Sequence, residues 1–479
     1  MIEWGLLATK VASLAFYIIY FGLVISTIIV VVLDNRNPVK TMAWVMVLMF
    51  LPFAGLILYF FFGRNERRER IIGKKSLNKL LSKSLTKYQS QYAYDYPQKY
   101  ETLIQFCKST NLAFPFQSNR VEVYTNGYDK IQALIAELYK AKSHIHLEYY
   151  IFADDPVGRL IRDILIDKSK EGVEVRVIYD DVGNWAVPSD FFNEMRDAGI
   201  EVKSFLKVRF PPFTSKVNYR NHRKIVVIDG CIGFIGGMNI AERYVKGVSW
   251  GVWRDTHLLI EGKSVYGLQT AFLMDWAFVD QTVITDKKYF PPIQMNHKCL
   301  MQIVTTNPIS PWKNIMQGMI QAISLARKYV YIQTPYFLPT EPFANALQTA
   351  ALAGVDVRLM LPEHSDSNLV HRGSRSYIAE ILRSGVKVYF YQEGFLHAKM
   401  LVSDDIFSSV GTTNVDFRSF EHNFEVNSFI YNEELSVKLK NIFIVDQHSS
   451  QQVFLKNWEQ RPLRERMIES VVRLFSPLL

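Results

Sequence analysis

"NYRNHRKIVVIDG", residues 218–230, runs a polar cluster straight into a strand of isoleucine and valine. "FLHAKMLVSDD", residues 395–405, repeats the spacing 175 residues later. His222, Lys224 and Asp229 are matched by His397, Lys399 and Asp404, so each set reads H-x-K-x-x-x-x-D. Residues i and i+2 of a strand share a face, so each histidine points the same way as its lysine. Asp229 lies seven residues after His222 and five after Lys224, odd separations that turn it to the other face. Asp229 and Asp404 are therefore expected to complete the two motifs by anchoring a turn or a neighbouring basic group. Asp229-Gly230 also signals a hairpin. The returning strand "CIGFIGGMN" would bring Gly236, Gly237 and Asn239 level with the histidine, and the second half would do the same with Gly411, Thr412, Thr413 and Asn414. Small residues there are expected to let backbone N–H groups approach a phosphate.

The motifs are the ends of a longer repeat. In the first half "KIQALIAELYKAKS" leads to "HIHLEYYIF", then to "KEGVEVRVIYDD" and "MRDAGIEVKSF". In the second, "NIMQGMIQAISLARK" leads to "YVYIQTPYF", "ALAGVDVRLMLPEHSD" and "LRSGVKVYFY". Gly172 matches Gly354 and Gly199 matches Gly385. Helices alternating with β-branched runs predict an α/β fold of two repeated lobes, each a mixed β-sheet covered by helices, sharing one cleft. The first lobe is read as residues 121–290, with its motif region at 216–243. The second is read as 291–479, with its motif region at 391–418. Residues 71–120 read as a polar connector, and "LKVRFPPFTSKVNYR" before the first motif as an insertion.

The N-terminus sets a different constraint. Val11 to Leu33 is a run of 23 residues without a charge, and Thr41 to Phe62 a second of 22. Each is long enough to cross a hydrocarbon core about 30 Å thick. With only "DNRNPVK" between them, residues 1–70 are expected to form a transmembrane hairpin, kinked in its second span at Pro52 and Gly55. A second span following at once argues against a cleaved signal peptide. Six basic residues follow the hairpin (Arg64, Arg67, Arg68, Arg70, Lys74, Lys75) against two in its loop (Arg36, Lys40). The positive-inside rule then puts both termini and the body in the cytoplasm, the basic stretch lying against anionic headgroups. The net charge of +9 favours anionic partners. The scattered Cys107, Cys231 and Cys299 read as reduced, buried thiols.

Chemically, two H-x-K faces in one cleft suit in-line displacement at a phosphodiester. One histidine attacks while the other protonates the departing oxygen, and the lysines with Asn239 and Asn414 neutralise the phosphoryl oxygens. Asp255 in "WRDTH" and Glu425 in "NFEVN" are the candidates to orient the imidazoles. "HIHLE" (His144, His146, Glu148) resembles a metal set, but its repeat partner "YVYIQ" lacks the ligands. Neither a metal nor a cofactor is expected, and Glu148 with Gln333 reads as a polar pair near the cleft.

These motifs resemble the phospholipase D superfamily, whose signature is the duplicated H-x-K-x-x-x-x-D. Within it the chain is similar over its full length to the bacterial cardiolipin synthases. The likeness is carried by "NPVKTMAWVMVLMFLPFAGLILYFFFGR", "NYRNHRKIVVIDG", "GFIGGMNIAERY", "WRDTHLLIEG", "FLHAKM", "GTTNVDFRSF" and "SPLL". It implies transfer of a phosphatidyl group from one phosphatidylglycerol to another, giving cardiolipin and glycerol without metal or nucleotide. His222 would be the nucleophile and His397 the acid and then base, in an order that is borrowed. Partners would be phosphatidylglycerol, cardiolipin and an anionic membrane surface. The lipid interface could take Phe210 to Phe213 of the insertion and the C-terminal helix. That helix carries Leu463, Met467, Val471 and Leu474 at helical spacing, and packing onto the body is its other reading. No nucleic acid is expected, since no basic tract interleaved with aromatics is present. A tethered phosphodiesterase hydrolysing phospholipid or nucleic acid, and a non-catalytic scaffold, are the alternatives.

Overall fold

The computed structural model describes residues 2–33, 38–59, 96–207 and 219–478. They belong to two compact units, an N-terminal one and a large body that begins, among the described residues, at 96. The Phe210 to Phe213 insertion and the basic run after the second apolar segment lie outside the described residues.

In the N-terminal unit one helix spans Ile2–Leu33, and its Lys10–Leu33 stretch is long and apolar enough to cross a membrane. The second apolar run is not one helix. It divides into Pro38–Phe50 and Pro52–Leu58, because Leu51 leaves the helical region ahead of a proline that starts the next helix. The kink expected at Pro52 is thus a full break, and neither piece alone has the length of a span. The pieces still pack on the first helix. Phe53 stacks on Tyr20 at 4.2 Å, and Val31, Leu48 and Tyr59 are buried together.

The body is built around strands that recur in order. The first lobe contributes β1 (Phe116–Tyr124), β2 (His144–Tyr149), β3 (Glu174–Asp180), β4 (Glu201–Phe205), β5 (Arg220–Asn221), β6 (Lys224–Ile228), β7 (Ile232–Gly236), β8 (Val252–Arg254) and β9 (His257–Gly262). The second contributes β10 (Cys299–Thr306), β11 (Tyr329–Gln333), β12 (Phe337–Leu338), β13 (Asp356–Pro362), β14 (Lys387–Tyr391), β15 (Gly394–Leu396), β16 (Met400–Ser403), β17 (Phe407–Gly411), β18 (Val415–Asp416), β19 (Asn423–Tyr431) and β20 (Ser450–Val453). From the junction outward the order is β1-β9-β7-β6-β2-β3-β4 on one side and β10-β19-β17-β16-β11-β13-β14-β20 on the other. The two halves have the same topology, with β20 an added edge. The matched glycines turn at matched angles: φ is +90° at Gly172 and +88° at Gly354, +88° at Gly199 and +93° at Gly385, where a Cβ would be strained.

Two features correct the expectation from sequence. The lobes do not carry separate sheets: β1 pairs antiparallel with β10, Phe116 opposite Met301, so one sheet runs through both. The supposed connector also ends early. Helix Glu101–Asn111 buries Leu103, Ile104 and Cys107 in the second lobe's core with Met319, Ile323 and Phe429, and β1 starts at Phe116. Only Phe116 and Asn119 of β1 are buried, so its sequence, "FQSNRVEVY", never shows the apolar run of a central strand.

Candidate active site

The two hairpins form as the spacing requires. β6 pairs with β7 and β16 with β17, and the turns between them hold Asp229 at φ +51° and Asp404 at φ +52°. Asp229 accepts the backbone N–H groups of Lys142, Ser143 and His144 at 2.7 to 2.9 Å. Asp404 accepts those of Arg327, Lys328 and Tyr329 at 2.6 to 2.9 Å, and an ion pair from Lys99. The aspartates tie the motif hairpin to the start of β2 or β11, at the end of β6 and β16 opposite the histidines. They stabilise the motif and touch no cleft.

Crossed strands assemble the other end. β5 pairs parallel with β19 and β15 with β8, so each lobe inserts a short strand beside the other's. His222 is thereby set against Glu425 of the second lobe, Nδ1 lying 3.0 Å from both carboxylate oxygens. His397 is set against Asp255 of the first lobe, Nδ1 to Oδ2 2.7 Å. A carboxylate on Nδ1 fixes the proton there and leaves Nε2 as the reactive nitrogen of each ring. Both rings line one cavity of ≈ 430 Å³, together with Asn239 and Asn414. The lysines sit behind the histidines. Lys224 Nζ donates to the His222 carbonyl at 2.8 Å and Lys399 to that of His397, with Lys399 Nζ 2.9 Å from the His397 Nδ1.

The two carboxylates differ in their support. Burial raises the Glu425 carboxyl, but the His222 ring, Lys224 and the Thr412 hydroxyl outweigh it and hold the group below its ordinary range. Asp255 accepts the Thr256 N–H, with no hydroxyl donor among the described residues, and burial pushes it up to about 6. Burial lowers Lys224 to about 7 and Lys399 to about 8. It also lowers both histidines, His397 well below the ordinary imidazole value. Gly237 stands where the repeat has Thr412, and a Cβ there would lie 2.1 Å from an Asp255 oxygen. This overturns the role expected for the small residues. The N–H of Gly237 is held by Thr256 O, that of Gly411 by Lys399 O and that of Thr412 by Val426 O, so these three offer no N–H to a phosphate; Gly237 makes room for Asp255, and Thr412 donates its hydroxyl to Glu425.

Glu148 and Gln333 lie beneath the cavity and do not line it. Glu148 accepts from Asn221 and lies beside Asp275, which pairs with the buried Arg223. Burial first, and Asp275 second, raise Glu148 well above the carboxylate range. Gln333 donates to Asp446 at 2.7 Å, and Asp446 pairs with Arg254. Each histidine thus rests on a buried guanidinium and carboxylate. His144 and His146 are engaged by one side chain, Gln269, at 3.1 and 2.8 Å, which accounts for "HIHLE" as packing.

The cavity wall also holds residues the motifs did not disclose: Arg220, Arg243, Arg418, Tyr150, Asp366 and Asn423 among them. Arg220 and Asn423 had a signal, standing two residues before His222 and Glu425 on the same strand faces. Arg243 and Arg418 also had a signal, each standing four residues after its lobe's Asn239 or Asn414 at the same offset of 175 as the histidines, whereas Asp366 arrives from a loop with no spacing to mark it.

The profile described as cardiolipin synthase, PLD-like domain matches residues 134–276 and 319–447, one segment in each lobe. A second, phospholipase D-nuclease N-terminal, matches residues 22–64. The chain is 40% identical over 481 residues to the major cardiolipin synthase of Bacillus subtilis (strain 168), covering 98% of this chain and 100% of that one. It is 41% identical to cardiolipin synthase 2 of Bacillus anthracis, covering 94% of this chain and 89% of the other. In fold it is similar to the crystal structure of phosphatidylserine synthase from Haemophilus influenzae Rd KW20. The TM-score is 0.61 over 79% of this chain and 100% of that one, at 13% identity. With a duplicated H-x-K-x-x-x-x-D site, family profiles on both lobes and full-length relatives at this identity, the chain belongs to the bacterial cardiolipin synthases of the phospholipase D superfamily.

Proposed function

We propose that this chain makes cardiolipin and glycerol from two molecules of phosphatidylglycerol, through a phosphohistidine. The observation that carries the reading is a single cavity lined by two imidazoles, each held at Nδ1 by a carboxylate of the opposite lobe. His222 Nε2 attacks phosphorus, the bond to the glycerol oxygen breaks, and His397 gives that oxygen its proton. His397 then takes the proton of a hydroxyl on the second phosphatidylglycerol, whose oxygen attacks phosphorus and releases His222. Lys224 and Lys399 set positive charge behind the rings where anionic oxygens gather. Arg220, Arg243 and Arg418 line the same cavity, a charge suited to the second lipid's own phosphate.

The site is tested with detergent-solubilised full-length protein, labelled phosphatidylglycerol and a chelator. Cardiolipin and free glycerol in equal amounts are expected. Phosphatidic acid as the main product would make the chain a hydrolase, and inertness toward lipid with cleavage of single-stranded DNA would make it a nuclease.

The same proposal sets the chain in the cell membrane through its N-terminal apolar segments, with both termini and the body cytoplasmic. The support is the run of basic residues that follows them. Helix Leu463–Arg473 has features that support both readings of the C-terminus. It packs on the body through the buried Val472, through Glu469, which lies 3.7 Å from Arg375, and through Arg473, which pairs with Glu380. Its outer face keeps Leu463, Met467, Val471 and the following Leu474 between 55% and 77% exposed. We assign that face to the lipid interface. Serine at Leu463, Met467 and Val471 together should raise the apparent KM for phosphatidylglycerol in vesicles about tenfold. Turnover of a short-chain substrate dispersed as monomers should stay unchanged. An equal loss on both substrates would return the helix to a packing role.

A further inference from the structure

Two carboxylates, Asp366 and Asp416, line the cavity beside Arg220, Arg243 and Arg418. Asp416 is buried and already engaged, capping helix Phe417–Glu421 by accepting the Ser419 N–H at 2.6 Å. Asp366 is solvent-exposed, four residues past β13, and makes no ion pair among the described residues. Its Oδ1 accepts the Tyr336 hydroxyl at 2.7 Å and faces Ser365 Oγ at 3.4 Å, and no hydrogen bond reaches Oδ2 among the described residues. Tyr336 sets the pair beside His397: its ring lies 6.5 Å from that of Phe395, which lies 5.4 Å from the imidazole. The pair departs from the repeat. The offset of 182 that relates Gly172 to Gly354 relates Asn184 to Asp366, and the offset of 185 that relates Glu148 to Gln333 relates Ile151 to Tyr336. Asn184 is spent on the backbone, Oδ1 accepting the Phe152 N–H while Nδ2 donates to Tyr150 O and Asp180 O. Where the first lobe has an isoleucine and an amide that holds the chain, the second lobe presents a phenol and a carboxylate to the cavity.

A carboxylate repels phosphate and accepts hydrogen bonds, so Asp366 suits a part of the substrate that carries donors. In the reaction proposed above, His397 protonates a glycerol oxygen and then takes the proton of a glycerol hydroxyl. A headgroup glycerol therefore stands beside it in both steps. An ammonium also suits a carboxylate, but the aromatic faces there already hold a cation. The Arg243 guanidinium lies 5.4 Å from the ring centre of Trp253 and 5.7 Å from that of Tyr244. Those rings stand 5.2 and 6.2 Å from His397. A second cation would be repelled by that guanidinium, and a neutral polyol would not. We propose that Asp366 is the residue that recognises the glycerol headgroup: Oδ2 accepts a free hydroxyl of the glycerol standing at His397, and Tyr336 holds the carboxylate in place through Oδ1. Asp366 moves no proton; it selects which alcohol occupies the place beside the imidazole.

The proposal rests on cleavage of phosphatidylglycerol at these histidines, and its test separates the two. Full-length wild type and Asp366→Ala are given short-chain phosphatidylglycerol or the matching phosphatidylpropanol, whose headgroup lacks the free hydroxyls. Release of the headgroup alcohol is followed, which counts transfer and hydrolysis alike. Wild type should favour the glycerol lipid in kcat/KM by about thirtyfold, as expected for a hydrogen bond to a charged acceptor. In Asp366→Ala the preference should fall to about threefold or less, and Asp366→Asn, which keeps one acceptor oxygen, should fall between. A preference that is the same in wild type and Asp366→Ala, whatever the absolute rates, overturns the role of Asp366 and leaves the reaction standing. Faster release of ethanolamine from phosphatidylethanolamine than of glycerol by wild type would assign the carboxylate to an ammonium and overturn it too. Should wild type release no alcohol at all, the reaction falls and binding decides Asp366. Short-chain phosphatidylglycerol should then raise the wild-type Tm more than phosphatidylpropanol does, and Asp366→Ala should erase the difference. Equal shifts in wild type would overturn the glycerol subsite.

Discussion

Alanine at His222 or at His397 should lower glycerol release from phosphatidylglycerol by about 10⁴-fold or more, because each ring carries a step the other cannot take over. The two losses should nevertheless differ in kind. His222→Ala removes the atom that bonds to phosphorus, so no substrate should restore it. His397→Ala removes the proton given to the leaving oxygen. A phosphatidyl ester with a nitrophenol leaving group needs no such proton and should still burst, labelling the protein covalently once per chain. Labelled lipid retained after denaturation by His397→Ala and not by His222→Ala would fix the nucleophile. The opposite pattern would reverse the order, and label on both or neither would rule out a single phosphohistidine. The variants should fold normally, since each histidine occupies a cavity wall and the hairpin beneath it is held by Asp229 or Asp404.

The largest loss of stability is expected from Arg223→Ala. Arg223 is buried, pairs with Asp275, and donates Nε to Glu425 O and Nη2 to Thr306 O, both at 3.2 Å. Removing it strands the Asp275 carboxylate beside Glu148 with no cation, which should cost about 3–5 kcal/mol. Arg223→Ala with Asp275→Asn removes both ends of the pair and should recover much of that. The check is denaturant unfolding of the single and double variants. If the single variant loses under about 1 kcal/mol, the ion pair contributes no more than an exposed one. Because the guanidinium also fixes the backbone of Glu425, activity should fall further than stability predicts.

How legible this was in the sequence can be argued strand by strand. Asp229 and Asp404 do lie away from the histidines, tying the far end of each hairpin, but no unbroken strand carries the motif: β5 ends at Asn221 and β6 starts at Lys224, and His397 to Lys399 lie between β15 and β16. The period-2 rule applied two residues earlier would have found Arg220, Trp253 and Asn423 in the cavity wall. The repeat disclosed the topology but not the junction. β1 is amphipathic and half-exposed, and its pairing with β10 is a long-range fact with no local signal. Asp255 and Glu425 were candidates for orienting carboxylates because each follows its motif at a comparable distance, 33 residues after His222 and 28 after His397. That each serves the other lobe's histidine depends on the parallel pairings of the two-residue β5 with β19 and of the three-residue β8 with the three-residue β15. Strands that short leave no periodicity to read.

The placement of two of the buried arginines, Arg223 and Arg254, sets the two lobes apart. Arg223 follows His222, where the repeat has Ala398, and Arg254 precedes Asp255, where the repeat has Phe424. Both guanidiniums therefore come from the first lobe, although Arg254 neutralises Asp446 in the second. A symmetric dimer of first lobes would bring two arginines to each histidine, and a dimer of second lobes would bring none. Recombination between the two halves, or conversion of one to match the other, would double or erase a buried cation under the reaction centre. With both lobes in one chain the copies are free to differ, and neither lobe's sequence can now stand in for the other without changing that charge.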